Sequence, residues 1–387
     1  MEARPPLRIV SISPEPTPYR APLFDRIAAR PDVDLLVAYA ARTVASRTWD
    51  VPLRHPHLFL RGFAVPGARR VLRHDYPITP GLIRMLDRRR PEVVVISGWS
   101  TFSAQAAIVW CRLRRVPYVL VVESHDRDPR TAWRRAIKGA VVPHLVRSAA
   151  GVLVTGTLVR ESMTRRGADP ARIHVFANTI DVRGYAERSD RLRHHRDQLR
   201  RALGLAPGDI AVLCVARLVP EKGLDTLLRA VAEAGPPLVP VLVGDGPERA
   251  RLTRLARELG VGAIVVGDLS WECIVEAYVA GDVFALLSRH EPWGVVVNEA
   301  AACGLPLVLS EHVGAAHDLL DPDANGILVP ADDAAAAALA LRRLARDPQL
   351  RARMGLRSAE LALPWGYDAS VTGFLEAVTG AVERVRS

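Results

Sequence analysis

The chain has almost no lysine. Of 52 basic residues only Lys138 and Lys222 are lysine, and the rest are arginine. Against 42 acidic residues this leaves a net charge of +10. Such an excess invites a nucleic-acid or anionic-membrane partner. The arginine is accompanied by abundant alanine, however, as GC-rich codons produce, so the charge alone assigns no partner, and no nucleic acid is expected. The scarcity marks Lys222 instead, as a position where a compact ammonium replaces a guanidinium fork. Cysteine is equally sparse. Cys111, Cys214, Cys273 and Cys303 stand apart with no C-x-x-C pair, which argues against a zinc site or a disulfide framework. Each has at least one apolar neighbour, so all four are expected to be buried thiols. No apolar run reaches the ~18 residues of a membrane span. The opening segment MEARPPLRIVSIS lacks the hydrophobic region of a signal peptide, and a cytoplasmic protein is expected. One stretch, DRDPRTAWRRAIKGAVV (126–142), mixes arginine with Trp133, Ile137 and Val141 before Pro143 interrupts it. It could lie on the cytosolic face of an anionic membrane.

What is present is alternation. A length of 387 residues favours two domains. LRIVSIS (7–13), DLLVAYA (34–40), EVVVIS (92–97), YVLVVES (118–124), GVLVTG (151–156) and RIHVF (172–176) read as strands. Their nearly unbroken apolar character is that of buried parallel strands. A second series follows: DIAVLCVA (209–216), LVPVLVG (238–244), AIVVG (263–267), DVFALLS (282–288), LPLVLS (305–310) and GILVP (326–330). Helical segments such as TPGLIRMLDRRR and GLDTLLRAVAEAG lie between them. Two such sets mean two α/β domains with parallel sheets. The apolar pattern lapses over 180–192, which places the seam. Domains of 1–184 and 185–365 are expected, with an amphipathic C-terminal helix, 366–387, packing back on the first.

The segment SRHEPWGVVVNEAAACGLPLV (288–308) carries two glutamates, Glu291 and Glu299, eight positions apart. On one continuous helix that spacing is a rise of roughly 12 Å, beyond the ~5–9.5 Å of glycosidase carboxylate pairs. A helix starting at Gly294 presents free N–H groups at Gly294, Val295 and Val296, which together form an anion site. Carboxylates repel phosphate but accept hydrogen bonds from hydroxyls. The arrangement therefore suits a ligand with phosphate in the middle and hydroxylated groups at both ends, such as a nucleotide sugar. Helix-end charge is the plainer alternative for both glutamates. VARLVPEKGLDTLLRAV (215–231) sets Arg217 just after a strand and Lys222 five residues on, a cation pair suited to a diphosphate, although Arg217 could also pair with Glu221. LVGDGPE (242–248) and VVGDLS (265–270) end strands in glycine turns that allow close backbone approach.

ARLVPEKG, VGDGPE, VVGD and the E-x7-E of the 288–308 segment resemble the C-terminal domain of glycosyltransferase family 4. The resemblance is specific over about 210–330 and looser before it. It implies a GT-B fold, with two Rossmann-like parallel-sheet domains facing a cleft, and retaining transfer from a nucleotide diphosphate sugar. UDP is the first expectation for the donor and GDP the second. No metal or cofactor is expected. The resemblance assigns Arg217 and Lys222 to the diphosphate, Glu299 to the ribose hydroxyls and Glu291 to the transferred sugar. Gly244, Gly246, Gly267, Asp268 and the backbone of Trp293, Gly294, Val295 and Val296 would line the donor. His125 would lie near the sugar, or else it satisfies Asp126. The family's glycine pair after the first strand is replaced here by SPEPTPYR (13–20). That suggests a stiff acceptor-side wall with Glu15, Tyr19 or Arg20. Trp99 could stack on an acceptor or pack in the core. The acceptor is expected to be a hydroxyl of a polysaccharide or lipid-linked glycan, or of a natural product such as an aminocyclitol. Three other readings stay open: a metal-dependent GT-A enzyme using DRD (126–128), a GT-B epimerase, and a non-catalytic sugar-nucleotide-binding subunit. Oligomeric state is not legible.

Overall fold

The structure, a computed structural model, describes residues 5–42, 51–63, 76–125 and 132–386. It contains two parallel sheets. The first has the order β3-β2-β1-β4-β5-β6-β7, with β1 Leu7–Ser13, β2 Val33–Tyr39, β3 His57–Phe59, β4 Val93–Ser97, β5 Tyr118–Val122, β6 Gly151–Val154 and β7 Ile173–Val175. The second has the order β10-β9-β8-β11-β12-β13, with β8 Ile210–Val215, β9 Leu238–Val243, β10 Ile264–Gly267, β11 Val283–Leu286, β12 Leu307–Ser310 and β13 Gly326–Val329. Every strand expected from the sequence is present. Residues 93–96 and 283–286 are wholly buried. Helices cover both faces, which is why no polar alternation appears along these strands.

Each unit has its own core. In the first, Val94, Ile96, Leu120 and Val154 of the sheet pack with Ala107, Ile108 and Cys111, which lie in the helix Phe102–Arg114. That helix starts where the Thr101 side chain accepts from Ala104 N at 3.1 Å. The C-terminal helix Tyr367–Arg386 lies on this unit. Phe374 meets Phe176 with ring centroids 5.3 Å apart, and Ala177 N donates to Ser370 Oγ at 3.2 Å.

The structure departs from expectation in four places. Strand β3 went unread because three residues are too few to show a period. A polar chain anchors it: His55 Nδ1 lies 2.6 Å from Asp25 Oδ1, and Tyr39 Oη lies 2.9 Å from His55 Nε2. The lapse at 180–192 is a helix, Val182–Leu192, capped by Asp181 accepting from Gly184 N. It packs on the helices Ile274–Ala280 and Val295–Ala302 of the second unit. The chain divides between Asn178 and Thr179, and again between Tyr367 and Asp368. Cys111, Cys214 and Cys303 are buried, but Cys273 is exposed, because it sits at a turn outside the sheet, just before the helix Ile274–Ala280. Pro143 lies inside the helix Ala132–Ser148 rather than ending it.

The DRD at 126–128 lies outside the described residues, as does the start of the 126–142 stretch. Among the described residues no helix is long and apolar enough to cross a membrane.

Candidate functional site

In open α/β sheets ligands sit beyond the carboxyl ends of the strands, where strand order reverses. In the second unit that reversal falls between β8 and β11. The loop after β8 carries Lys222 and the loop after β11 carries Glu291, and these two side chains form an ion pair. Both are largely buried, exposing 17% and 14%. Main-chain and side-chain bonds fasten the two loops together. Arg289 N donates to Glu221 O at 2.8 Å, and Arg289 Nη1 donates to Pro220 O at 2.6 Å. Gly223, with φ +62°, closes the first loop so tightly that a Cβ there would lie 2.1 Å from Leu287 O. Arg289 also binds Asp225 through two bonds of 3.0 and 3.1 Å and reaches Asp332 at 2.7 Å. Sequence reasoning missed Arg289. In an arginine-rich chain nothing distinguishes it except its place two residues before Glu291.

The helix Val295–Ala302 begins with Gly294 at φ +93° and no side-chain cap. The N–H groups of Gly294, Val295 and Val296 find no acceptor among the described residues, as the first turn of a helix leaves them. Glu299 stands one turn in. Tyr278 donates to its Oε2 at 2.6 Å, and Tyr185 bonds it as well. Glu299 keeps a partly exposed edge, yet burial pushes its carboxyl up to about 7, a rise the two tyrosine hydrogen bonds restrain. Burial raises the Tyr278 phenol well above its ordinary value, and Glu299 adds to that rise. Neither tyrosine was singled out from sequence, since an apolar frame such as VEAYVA reads as core. The Trp293 side chain is buried: its Nε1 donates to Asn298 at 3.0 Å and its ring lies 5.2 Å from that of Trp365. Trp293 can therefore offer a ligand only backbone.

The remaining donor-side residues gather on the adjacent loops. Gly244 N donates to Gly267 O at 2.8 Å, and Leu218 N donates to Asp245 O at 2.9 Å, tying the ends of β8, β9 and β10. A Cβ at Gly244 would lie 2.1 Å from Ala216 O, so only glycine lets these loops meet. Gly246 is equally closed in, against Leu218 O. Asp268 and Arg217 are exposed. Arg217 forms no ion pair among the described residues, and the alternative pairing with Glu221 is absent.

In the first unit the order reverses between β1 and β4. Glu15, Tyr19 and Arg20 line a cavity of about 290 Å³ there. The Arg20 guanidinium is committed to the fold, donating to Phe176 O at 2.7 Å and to Glu123 Oε1 at 3.1 Å. Burial pulls its pKa down, against the opposing pull of Glu123. Trp99 does not line the cavity; it packs half-buried on the core. His125 is buried shortly after β5. Among the described residues no cluster of side chains is arranged to hold a metal ion.

Two parallel sheets, the second with a lysine–glutamate pair and an uncapped helix start at its switch point, define a two-domain α/β protein. Residues 17–179 match the glycosyl transferase 4-like domain, and residues 195–360 match glycosyl transferases group 1. The α-D-kanosaminyltransferase of Streptomyces kanamyceticus is 33% identical over 262 residues, covering 65% of this chain and 67% of that protein. A D-inositol 3-phosphate glycosyltransferase of Thermomonospora curvata is 35% identical over 258 residues, 62% of this chain. The match spans 60% of that relative's length. In fold, the Anabaena protein HepE, solved with UDP and glucose, superposes with a TM-score of 0.73 at 19% identity, over 96% of this chain and 99% of that one. The chain belongs to the group 1 glycosyltransferases, family 4, with the GT-B fold.

Proposed function

We propose that the chain is a retaining, metal-independent glycosyltransferase. It moves a sugar from a nucleotide diphosphate, UDP before GDP, to a hydroxyl acceptor. The observation that carries this reading is the Lys222–Glu291 pair at the second sheet's switch point, beside the open helix start at Gly294. As the bond from the anomeric carbon to the phosphate oxygen breaks, negative charge grows on the departing diphosphate. Lys222, Arg217 and the N–H groups at Gly294–Val296 supply fixed positive charge to it. Glu291, released from Lys222 as phosphate arrives, is available to the sugar hydroxyls, and Glu299 to the ribose. The acceptor oxygen bonds the anomeric carbon on the same face, and its proton passes to the departing phosphate oxygen. Protein groups provide the neutralising charge, so activity is expected to persist in EDTA. A cytoplasmic location accords with a nucleotide-sugar donor.

Thermal shifts with UDP-, GDP-, ADP- and dTDP-sugars test the donor, and one base should stand out. Lys222→Ala under saturating acceptor should lower turnover by about 10²–10³. Near-normal turnover would remove Lys222 from the site.

A further inference from the structure

We propose that the cavity at the first unit's switch point, on the side where the family resemblance puts the acceptor, takes as that acceptor a single unphosphorylated, polyhydroxylated six-membered ring. This rests on the glycosyl-transfer reading above. Three observations carry the assignment. The first is position. The cavity opens at the carboxyl ends of β1, β4 and β5, where the strand order turns back and where such sheets place ligands. The second is volume. About 290 Å³ lies just under the ~300–1,000 Å³ of ordinary ligand pockets, room for one compact ring.

The third is chemistry. Ser13, Thr17, Ser97 and Thr101 line the cavity, giving a wall of hydroxyls that both donate and accept. The ends of β1 and β4 meet there, with Ser13 Oγ 3.4 Å from Ser97 Oγ. Thr17 is 9% exposed, and its Oγ1 is buried with no hydrogen-bond partner among the described residues. A buried hydroxyl left without a partner costs stability, so its retention beside a cavity points to a ligand that satisfies it. Glu123 also lines the cavity and can accept from ring hydroxyls with the oxygen not bound to Arg20.

A phosphate ester would need a cation. Arg20 is the basic side chain among the described lining residues. It is held by Glu123, by the carbonyls of Phe176 and Ala177 at 2.7 and 3.2 Å, and by stacking 4.1 Å over the Phe176 ring. Turning it toward a phosphate would strand Glu123 and break those bonds. Hydroxyl recognition requires no such rearrangement.

The test measures binding by saturation-transfer NMR and calorimetry, with UDP present, for ring–monophosphate pairs: glucose with glucose 6-phosphate, and myo-inositol with its 1-phosphate. At least one free ring should bind, and its monophosphate about tenfold more weakly. Thr17→Val should weaken that ring about tenfold while leaving the melting temperature unchanged or higher. Merely structural importance of Thr17 would instead lower it. The proposal is overturned if no ring binds, if a monophosphate binds as well as its ring, or if Thr17→Val leaves ring affinity intact. The sugar-nucleotide thermal shifts report separately on the donor. Ring binding without any donor shift would overturn glycosyl transfer, and with it the acceptor role, and leave the cavity a ring-binding site.

Discussion

At the residue scale, pH is expected to act through Glu299, whose carboxyl burial pushes up. An unfolded glutamate ionises near 4.5, whereas this one ionises at about 7. Between those values the folded chain holds a proton that the unfolded chain has lost. Stability therefore falls as pH rises through that window and levels off above it. Glu299→Gln has no such proton. Its melting temperature should gain on that of the parent from pH 5 to 7 and keep a constant lead beyond, as a calorimetric pH series would show; a lead that does not change with pH would mean that Glu299 titrates like a solvated carboxyl. Tyr278→Phe removes a donor to the carboxylate and should extend the window to higher pH by raising its upper edge. Lys222 and Glu299 were legible in the sequence for different reasons. One stood out in a lysine-poor chain, and the other belonged to a spaced pair on a helix start. Tyr185 and Tyr278 were not, because they acquire their role only where two further helices bring them to the same carboxylate.

At the element scale, parallel strands were easy to read because burial on both faces leaves long apolar runs. The helix Val182–Leu192 was not, since its apolar stripe is narrow and arginine and acid fill the remainder. Loops were legible as glycine-rich turns, but not how they interlock. Gly223 shows why that matters. It joins the end of β8 to a helix at positive φ, against the carbonyl of Leu287 in the next loop. An alanine there meets both a steric and a conformational penalty. Such strain costs about 1–3 kcal/mol where the backbone is held and more where it must move. Gly223→Ala should lower stability by at least that much in urea titrations and weaken UDP binding, because Lys222 is the preceding residue. Unchanged UDP affinity in a folded Gly223→Ala protein would separate this loop from the site.

At the scale of the whole molecule, the two units share one plan and differ in what their switch points offer. The second presents a lysine, paired acids and open N–H groups; the first presents hydroxyls around a committed arginine. The sequence showed the duplication of strand and helix, but not the strand order on which both sites depend, because order is set by which neighbours pair and not by any local period. Hydrogen exchange can test this division of labour in the intact chain. A ligand that binds only the closed form of a loop suppresses its opening by RT ln(1 + [L]/Kd), about 2.7 kcal/mol at a hundredfold excess over Kd. That corresponds to roughly 100-fold slower exchange wherever exchange runs through that opening. UDP should therefore slow exchange across 216–223, 244–246 and 287–299, while amides of β1, β4 and β5 exchange as before. An accepted ring should do the reverse, slowing 13–20 and 97–101. Protection by UDP confined to 13–20 would exchange the roles assigned to the two sheets, and the lysine–glutamate pair would then have to be explained as a structural ion pair.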